Sequence, residues 1–206
     1  MLKTSEGRMI PCFCITNRKL CQDDFIERIK RIVDGQKADA VILREKDLPE
    51  GEYLYLAGQV LDICQDASIP CILHTFYRAA AELGCRRIHL PFDVLMELKF
   101  GQMAQSEFDL DAHFEVVGTS VHSEEQAKRA APLGIRYLIA GHIFETDCKM
   151  GVPGRGLDFV QNVSQVPVPV YAIGGIHRQN AADVVNAGAS GVCMMSSFML
   201  DALTDL

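Results

Sequence analysis

Residues 168–176 read Val-Pro-Val-Tyr-Ala-Ile-Gly-Gly-Ile, and residues 191–197 read Gly-Val-Cys-Met-Met-Ser-Ser. Each is a short apolar run that ends in small or hydroxylated residues, the pattern of a buried parallel strand delivering polar groups at its C-terminal end. Two residues without a Cβ let backbone N–H groups approach an oxyanion, and two adjacent serines can add amides and hydroxyls. Gly174, Gly175, Ser196 and Ser197 are therefore the candidate phosphate-binding residues, because the last two strand ends are where (β/α)8 barrels hold a phosphate. Paired glycines alone would also make a tight turn; the Ser-Ser at the next strand end is what favours the anion site.

Working outward, six more strand-like runs precede these two, at residues 10–15, 40–43, 71–73, 87–90, 115–119 and 137–140. Between the eight lie segments with apolar residues three and four apart, at 23–33, 50–65, 77–83, 94–101, 124–132, 156–163 and 178–187. This alternation over 206 residues, with no linker or low-complexity stretch, predicts an α/β protein: one (β/α)8 TIM-barrel domain spanning 1–206. An open doubly wound sheet fits the same alternation, and the strand count together with the phosphate signature favours the barrel. After the eighth run only about ten residues remain, so the final helix is short against a mean of roughly 11 to 12. A homodimer or higher homo-oligomer is one way to cover the apolar surface that a short last helix leaves.

Composition removes several function classes. The formal net charge is −7 with no tryptophan and no basic run, so the long-range field repels nucleic acid and anionic membrane. No stretch approaches the roughly 20 apolar residues that span a bilayer. Of the eight cysteines, Cys12, Cys14, Cys71, Cys85 and Cys193 sit in or beside apolar runs, and there is no basic-apolar-small leader. They read as buried reduced thiols of a cytoplasmic protein. The close pairs, Cys12 with Cys14 and Cys64 with Cys71, have poor metal spacing, so no metal site is expected.

Function in such a barrel sits where the strands end. The runs deliver Thr16-Asn17-Arg18, Arg44-Glu45-Lys46, His74-Thr75, His89 to Pro91, Ser120-Val121-His122 and Gly141-His142. His122 is the acid/base candidate, since imidazole, with an ordinary pKa of about 6.5, moves protons near neutrality. Strand alternation sends Arg44 and Lys46 to one side, where they could grip an anion; a solvated cluster with Glu45 and Asp47 is the competing reading. Lys149, in a loop followed by Gly151, Gly154 and Gly156, has the character of a mobile anion clamp. His74 is a pocket wall or a second acid/base, His89 and His142 read as scaffold, and His113 and His177 as surface.

Several of these stretches together resemble the thiamine-phosphate synthase and TenI superfamily. They are Cys14-Ile15-Thr16-Asn17-Arg18, Leu43-Arg44-Glu45-Lys46, Ser120-Val121-His122 with Glu124-Glu125, and residues 141–149, Gly-His-Ile-Phe-Glu-Thr-Asp-Cys-Lys. To these are added Gly154-Arg155-Gly156-Leu157, residues 172–176, residues 187–192 (Ala-Gly-Ala-Ser-Gly-Val) and Met195-Ser196-Ser197. The resemblance covers nearly the whole chain, and several motifs are shared by both branches of the superfamily.

The synthase branch, which joins a pyrimidine diphosphate to a thiazole phosphate, has Asn-Asp-Arg after the third strand, Gln and acidic residues after the fourth, and Thr-x-Ser-Lys after the sixth. Here those places read His74-Thr75-Phe76, Pro91-Phe92-Asp93-Val94 and Thr146-Asp147-Cys148-Lys149. One carboxylate, Asp93, is a poor Mg²⁺ clamp on a diphosphate. The 145–149 loop and His122 look like the TenI branch, the thiazole tautomerases. That resemblance implies a phosphorylated thiazole substrate carrying a ring carboxylate, and its needs match what the strand ends deliver: His122 as proton shuttle, Arg44 and Lys46 for the carboxylate with Lys149 as helper, and His74 as wall or second acid/base. It implies no cofactor. The alternatives are the synthase, with Mg²⁺, and a non-catalytic thiazole or thiamine phosphate-binding regulator.

Overall fold

A computed structural model describes residues 2–4, 6–101, 108–146 and 151–200. Eight parallel strands close into a barrel in chain order, with the last hydrogen-bonded to the first. They are β1 (Cys12–Ile15), β2 (Ala40–Leu43), β3 (Cys71–His74), β4 (Arg87–Pro91), β5 (Val116–Val121), β6 (Tyr137–Gly141), β7 (Val170–Ile173) and β8 (Gly191–Met194). All eight runs expected from the sequence are strands. β1 and β7 begin two residues later than their apolar runs because Pro11 and Pro169 intervene. Proline has no N–H for a ladder; their carbonyls still accept from Val192 and Leu138, 2.9 Å each.

Alternation along each strand divides the core in two. One set of side chains, including Ile15, Ile42, Ile72, Tyr137, Ile139 and Cys193, packs inside the barrel. The other, including Val41, Leu43, Leu73, Ile88, Leu90, Leu138 and Val192, packs outward under the helices. Low in the interior, the Phe13 and Tyr171 rings stack at 4.2 Å between centroids, and Tyr137 meets both edge-on at 5.9 Å. These rings fit because residues beside them lack a Cβ. A methyl at Gly118 would lie 2.1 Å from the Tyr137 ring, and one at Gly191 2.7 Å from Tyr171.

The helices are α1 (Phe25–Asp34), α2 (Glu50–Asp66), α3 (Tyr77–Glu82), α4 (Phe92–Phe100), α5 (Leu110–His113), α6 (Glu124–Ala130), α7 (Gly156–Val163), α8 (Ala181–Asn186) and α9 (Ser196–Met199). Asp24 caps α1 by accepting from the Glu27 amide, and the helix buries Ile29, Ile32 and Val33 on one stripe. Arg28 on that stripe is fully buried. It donates to Asp23 and, 3.1 Å away, to the Leu200 carbonyl, which fastens the chain after the short α9 to the start of the barrel.

α5 was not expected from the sequence. Four residues are too few to show a helical period, and its cap, Asp109, accepting from the amides of Asp111 and Ala112, is the only local signal. The seven described cysteines are free thiols, and six of them, the five named above and Cys64, are buried. Among the described residues, no helix is long and apolar enough to cross a membrane.

Candidate active site

A cavity of about 420 Å³ opens at the C-terminal ends of the strands. Its lining includes Arg44 and Lys46 after β2, His74 on β3, His89 on β4, Ser120 and His122 on and after β5, Gly141 and His142 from β6, Gly174 and Gly175 after β7, and Ser196 after β8. A cavity of about 490 Å³ lies at the other end, lined by residues such as Cys64, Cys71, Cys85 and Arg86 below α2 and α3. It carries no imidazole, so size does not decide where the chemistry is.

His122 stands at the rim, exposed, immediately before α6. Ser123 caps that helix by accepting from the Gln126 amide, and Gln126 reaches back to accept from the His122 amide at 2.6 Å. This is a capping-box arrangement shifted by one residue, with the Ser-x-x-Gln spacing that such boxes need. His122 Nδ1 lies 2.8 Å from the Gly141 carbonyl, which can only accept. Nδ1 therefore carries the proton, and in the neutral ring Nε2 is left with its lone pair. Arg155 Nε donates to the same carbonyl at 3.3 Å, which brings a guanidinium beside the histidine.

Arg44 and Lys46 both face the cavity, as alternation required. The competing surface cluster does not form, because its carboxylates are engaged elsewhere. Glu45, on the opposite side of the chain, is buried and accepts from Thr16 Oγ1 at 2.7 Å and from the Arg18 amide and guanidinium. Asp47 pairs with Arg18 and Lys19. Partial burial, and then the Arg44 charge, draw the Lys46 ammonium below its ordinary value. Neither cation has a carboxylate partner among the described residues, so an anion arriving between them relieves repulsion as well as making contacts.

His74 and His89 form the floor, with ring centroids 5.1 Å apart. His74 is held by Thr75 Oγ1 at 2.6 Å from Nδ1, and Thr75 adopts a left-handed φ of 70°, a conformation that a β-branched residue rarely takes. Burial pushes His74 well below its ordinary value, followed by the charges of His89, Lys46 and Arg44. His89 is pushed down to about 3, by burial first and then by Lys46 and Arg44. Both are neutral near pH 7. His89, expected to be scaffold, lines the cavity as well.

This burial has a measurable consequence for stability. The unfolded chain protonates His89 near the ordinary 6.5, whereas the folded chain takes that proton only near 3. As pH falls through that window the unfolded state binds more protons, so the stability that neutral His89 contributes is complete above about 6.5 and declines towards about 3. Urea unfolding followed from neutral pH downward is expected to show this decline, with a shallower slope in His89→Gln. Equal slopes for the two proteins would remove His89 as its source.

Gly174 and Gly175 take φ values of 105° and 64°. Their freedom serves the neighbouring loop as directly as any ligand: a Cβ on Gly174 would lie 2.3 Å from His142 Cβ, and one on Gly175 2.4 Å from the Glu145 carbonyl. The Phe144 amide donates to the Gly174 carbonyl at 3.0 Å, so the β6 and β7 loops form one turn-on-turn wall. His142, buried, has Nε2 3.1 Å from the Val152 carbonyl, and among the described residues Nδ1 has no partner; its ring ties the loop back on itself, as scaffold.

Ser196 lines the cavity but Ser197 does not. The strand ends at Met194 and α9 starts at Ser196, so a helical rotation replaces strand alternation and turns the second serine aside. Lys149 lies outside the described residues. His113 and His177 are exposed, as expected. The sequence names Ser120 at a strand end, Thr146 and Arg155 within motifs and Asp93 as a lone carboxylate without marking any of them as a ligand-facing residue, and Gln126 is signalled by the Ser123-x-x-Gln126 box alone.

Among the described residues no group of three or more His, Cys, Asp or Glu is placed to hold a metal ion. Mg²⁺ prefers hard oxygen donors in near-octahedral array. The described lining offers one carboxylate, the exposed Asp93, among cations and imidazoles, and Glu45 is turned away into its own hydrogen bonds. That donor set does not fit a Mg²⁺-diphosphate clamp.

Fold and cavity define a class: a (β/α)8 barrel with a cavity at the C-terminal mouth of its strands, the end at which such barrels carry their chemistry. Residues 12–198 match the TMP-TENI family, described as thiamine monophosphate synthase. The chain belongs to that family, which places it among the enzymes of thiamine biosynthesis.

The thiamine-phosphate synthase of Roseiflexus sp. strain RS-1 is 29% identical over 187 residues, covering 90% of this chain and 76% of the relative. That of Thermus thermophilus is 32% identical over 182 residues, covering 86% and 82%. Thiamine phosphate pyrophosphorylase from Pyrococcus furiosus superposes with a TM-score of 0.74 at 24% identity, covering 92% of this chain and 87% of that one. FabK from Thermotoga maritima shares the barrel as well, with a TM-score of 0.64 at 17% identity, covering 92% and 59%. Superposition at this level therefore speaks for fold and not for reaction.

Proposed function

We propose that the chain is a thiazole tautomerase acting on a phosphorylated, carboxylated, non-aromatic thiazole. One proton leaves the ring carbon that bears the carboxylate and one is delivered to the exocyclic carbon, so the reaction is an isomerisation with no net change of charge or oxidation state. Aromaticity drives it. The observation that carries this reading is the tautomer of His122: with Nδ1–H given to the Gly141 carbonyl, Nε2 is a proton acceptor at the cavity rim and, once protonated, the donor for the second transfer. Arg44 and Lys46 hold the carboxylate, and the turn at Gly174 and Gly175 with Ser196 holds the phosphate.

A second reading is favoured by the names of the relatives, which are thiamine-phosphate synthases. On that reading the chain couples a pyrimidine diphosphate to a thiazole phosphate with Mg²⁺. The test incubates purified protein with the non-aromatic tautomer, without added metal, and follows aromatic thiazole formation by ultraviolet absorbance. Acceleration over the spontaneous rate supports the tautomerase. No acceleration, with Mg²⁺-dependent coupling of the two phosphorylated precursors, supports the synthase. Binding of thiazole phosphate without either reaction supports a regulator.

Lys46→Ala is expected to weaken the binding of the carboxylated thiazole phosphate about tenfold or more, the usual worth of a hydrogen bond to a charged group. Affinity for the same phosphate lacking the carboxylate is expected to stay within about twofold, because the phosphate is held across the barrel. Calorimetric titration of both ligands checks this; equal losses for the two would place Lys46 on the phosphate instead.

A further inference from the structure

One step down β5 from His122, on the same face of the strand, Ser120 lines the cavity, and what it can offer a ligand is decided by two residues behind it. Ser120 Oγ lies 2.8 Å from His89 Nε2, and His89 Nδ1 lies 3.1 Å from the Tyr137 hydroxyl. His89 is 1% exposed and Tyr137 5%. Tyr137 crosses to His89 over Gly118, where any side chain would meet its ring.

Burial keeps the imidazole neutral and, pushing the phenol's ionisation well above its ordinary range, keeps the tyrosine protonated. A neutral imidazole between two hydroxyls has two arrangements. In one, Tyr137 donates to Nδ1, the ring proton sits on Nε2 and goes to Ser120 Oγ, and the serine's own proton is turned to the cavity. In the other, Nδ1–H goes to the phenol oxygen, Nε2 accepts from the Ser120 hydroxyl, and the phenol proton has no partner among the described residues.

His89 is the phenol's one hydrogen-bonding partner among the described residues. The second arrangement strands a buried donor, whereas the first satisfies every group and leaves the free proton where a ligand can meet it.

We propose that Tyr137 and His89 are positioning residues that fix Ser120 as a hydrogen-bond donor, so that the site selects a ligand presenting an unprotonated acceptor at that place, a carboxylate oxygen or a bare ring nitrogen. It rests on the tautomerase reading only in assigning that acceptor to a carboxylated thiazole. The polarity of the chain of hydrogen bonds is independent of the reaction.

The test has two arms. Protein labelled with ¹⁵N at histidine is examined without ligand by long-range ¹H–¹⁵N correlation, with His89 assigned by the signals lost in His89→Gln. The expected result is the Nε2–H tautomer; an Nδ1–H tautomer or an imidazolium overturns the proposal, whatever the protein catalyses.

The second arm measures the dissociation constant of the aromatic carboxythiazole phosphate. Tyr137→Phe and His89→Leu are expected to weaken it about five- to tenfold. His89→Gln, whose amide keeps one acceptor for Tyr137 and one donor for Ser120, is expected to stay within about twofold of wild type. Equal losses in His89→Gln and His89→Leu would overturn the role of polarity and leave only packing. If His89→Leu does not fold, the comparison of Tyr137→Phe with His89→Gln decides the same point. A wild-type protein that binds the ligand and shows the Nε2–H tautomer yet does not aromatise the substrate would sink the tautomerase reading and leave this one standing.

Discussion

His122→Asn is expected to lower turnover of the non-aromatic thiazole by about 10² to 10⁴-fold, the usual worth of a positioned acid/base group. The substitution isolates the proton-transfer atom. An asparagine amide can still donate to the Gly141 carbonyl where Nδ1–H does, and the backbone amide of residue 122 still donates to Gln126, so the helix cap survives. What is lost is the Nε2 lone pair, for which asparagine has no equivalent base. Because His122 is exposed, thermal stability is expected to change little, and affinity for the phosphorylated product to stay within a few-fold. A variant with wild-type turnover would remove His122 from the mechanism, and one with lowered turnover and lowered stability would not separate chemistry from folding.

Gly174→Ala is expected to carry the largest structural effect, about 2–6 kcal/mol of destabilisation. Two costs combine. A φ of 105° is hostile to any residue with a Cβ, at roughly 1–3 kcal/mol. The new methyl would also stand 2.3 Å from His142 Cβ and 2.7 Å from its Cα, and forcing atoms into a packed site costs roughly another 1–3 kcal/mol. The second obstacle is backbone, so a side-chain rotation cannot relieve it; the β6 loop has to move. For a chain of this size the melting temperature is expected to fall by about 5–15 °C, with phosphate affinity falling alongside. Scanning calorimetry with a phosphate-ligand titration checks both, and an unchanged melting temperature would mean the two loops are not locked together.

The strands were legible because they are buried on both faces, which concentrates apolar residues into eight short runs; closure into a barrel rather than an open sheet was legible from their number and from the Gly-Gly and Ser-Ser ends of the last two. Arg44 and Lys46 were legible for a related reason: a period of two continues past the end of β2, so residues 44 and 46 share the side that β2 turns to the interior. Ser196 and Ser197 read as a pair because adjacent hydroxyls and amides suit an anion, and the start of α9 at Ser196 leaves only the first of them on the cavity lining.

The roles of Ser120, His89 and Tyr137 depend on hydrogen bonds between residues 31 and 48 positions apart, and nothing local announces such pairs. The tautomer of His122 depends likewise on a carbonyl from the neighbouring strand, 19 positions away. Strand identity is written in local composition; the state of a side chain is written in its neighbour across the ladder.

Gly118 has a consequence beyond the single molecule. Because the Tyr137 ring occupies the space above it, and reaches His89 only by doing so, the three positions are constrained as a set in any lineage that keeps this arrangement. An alanine at 118 becomes tolerable only after residue 137 has shrunk, and a smaller residue at 137 removes one of the two hydrogen-bond partners of His89. Substitutions at these sites should therefore be inherited in combination, and their joint variation across descendants would trace the moments when the barrel's interior was repacked.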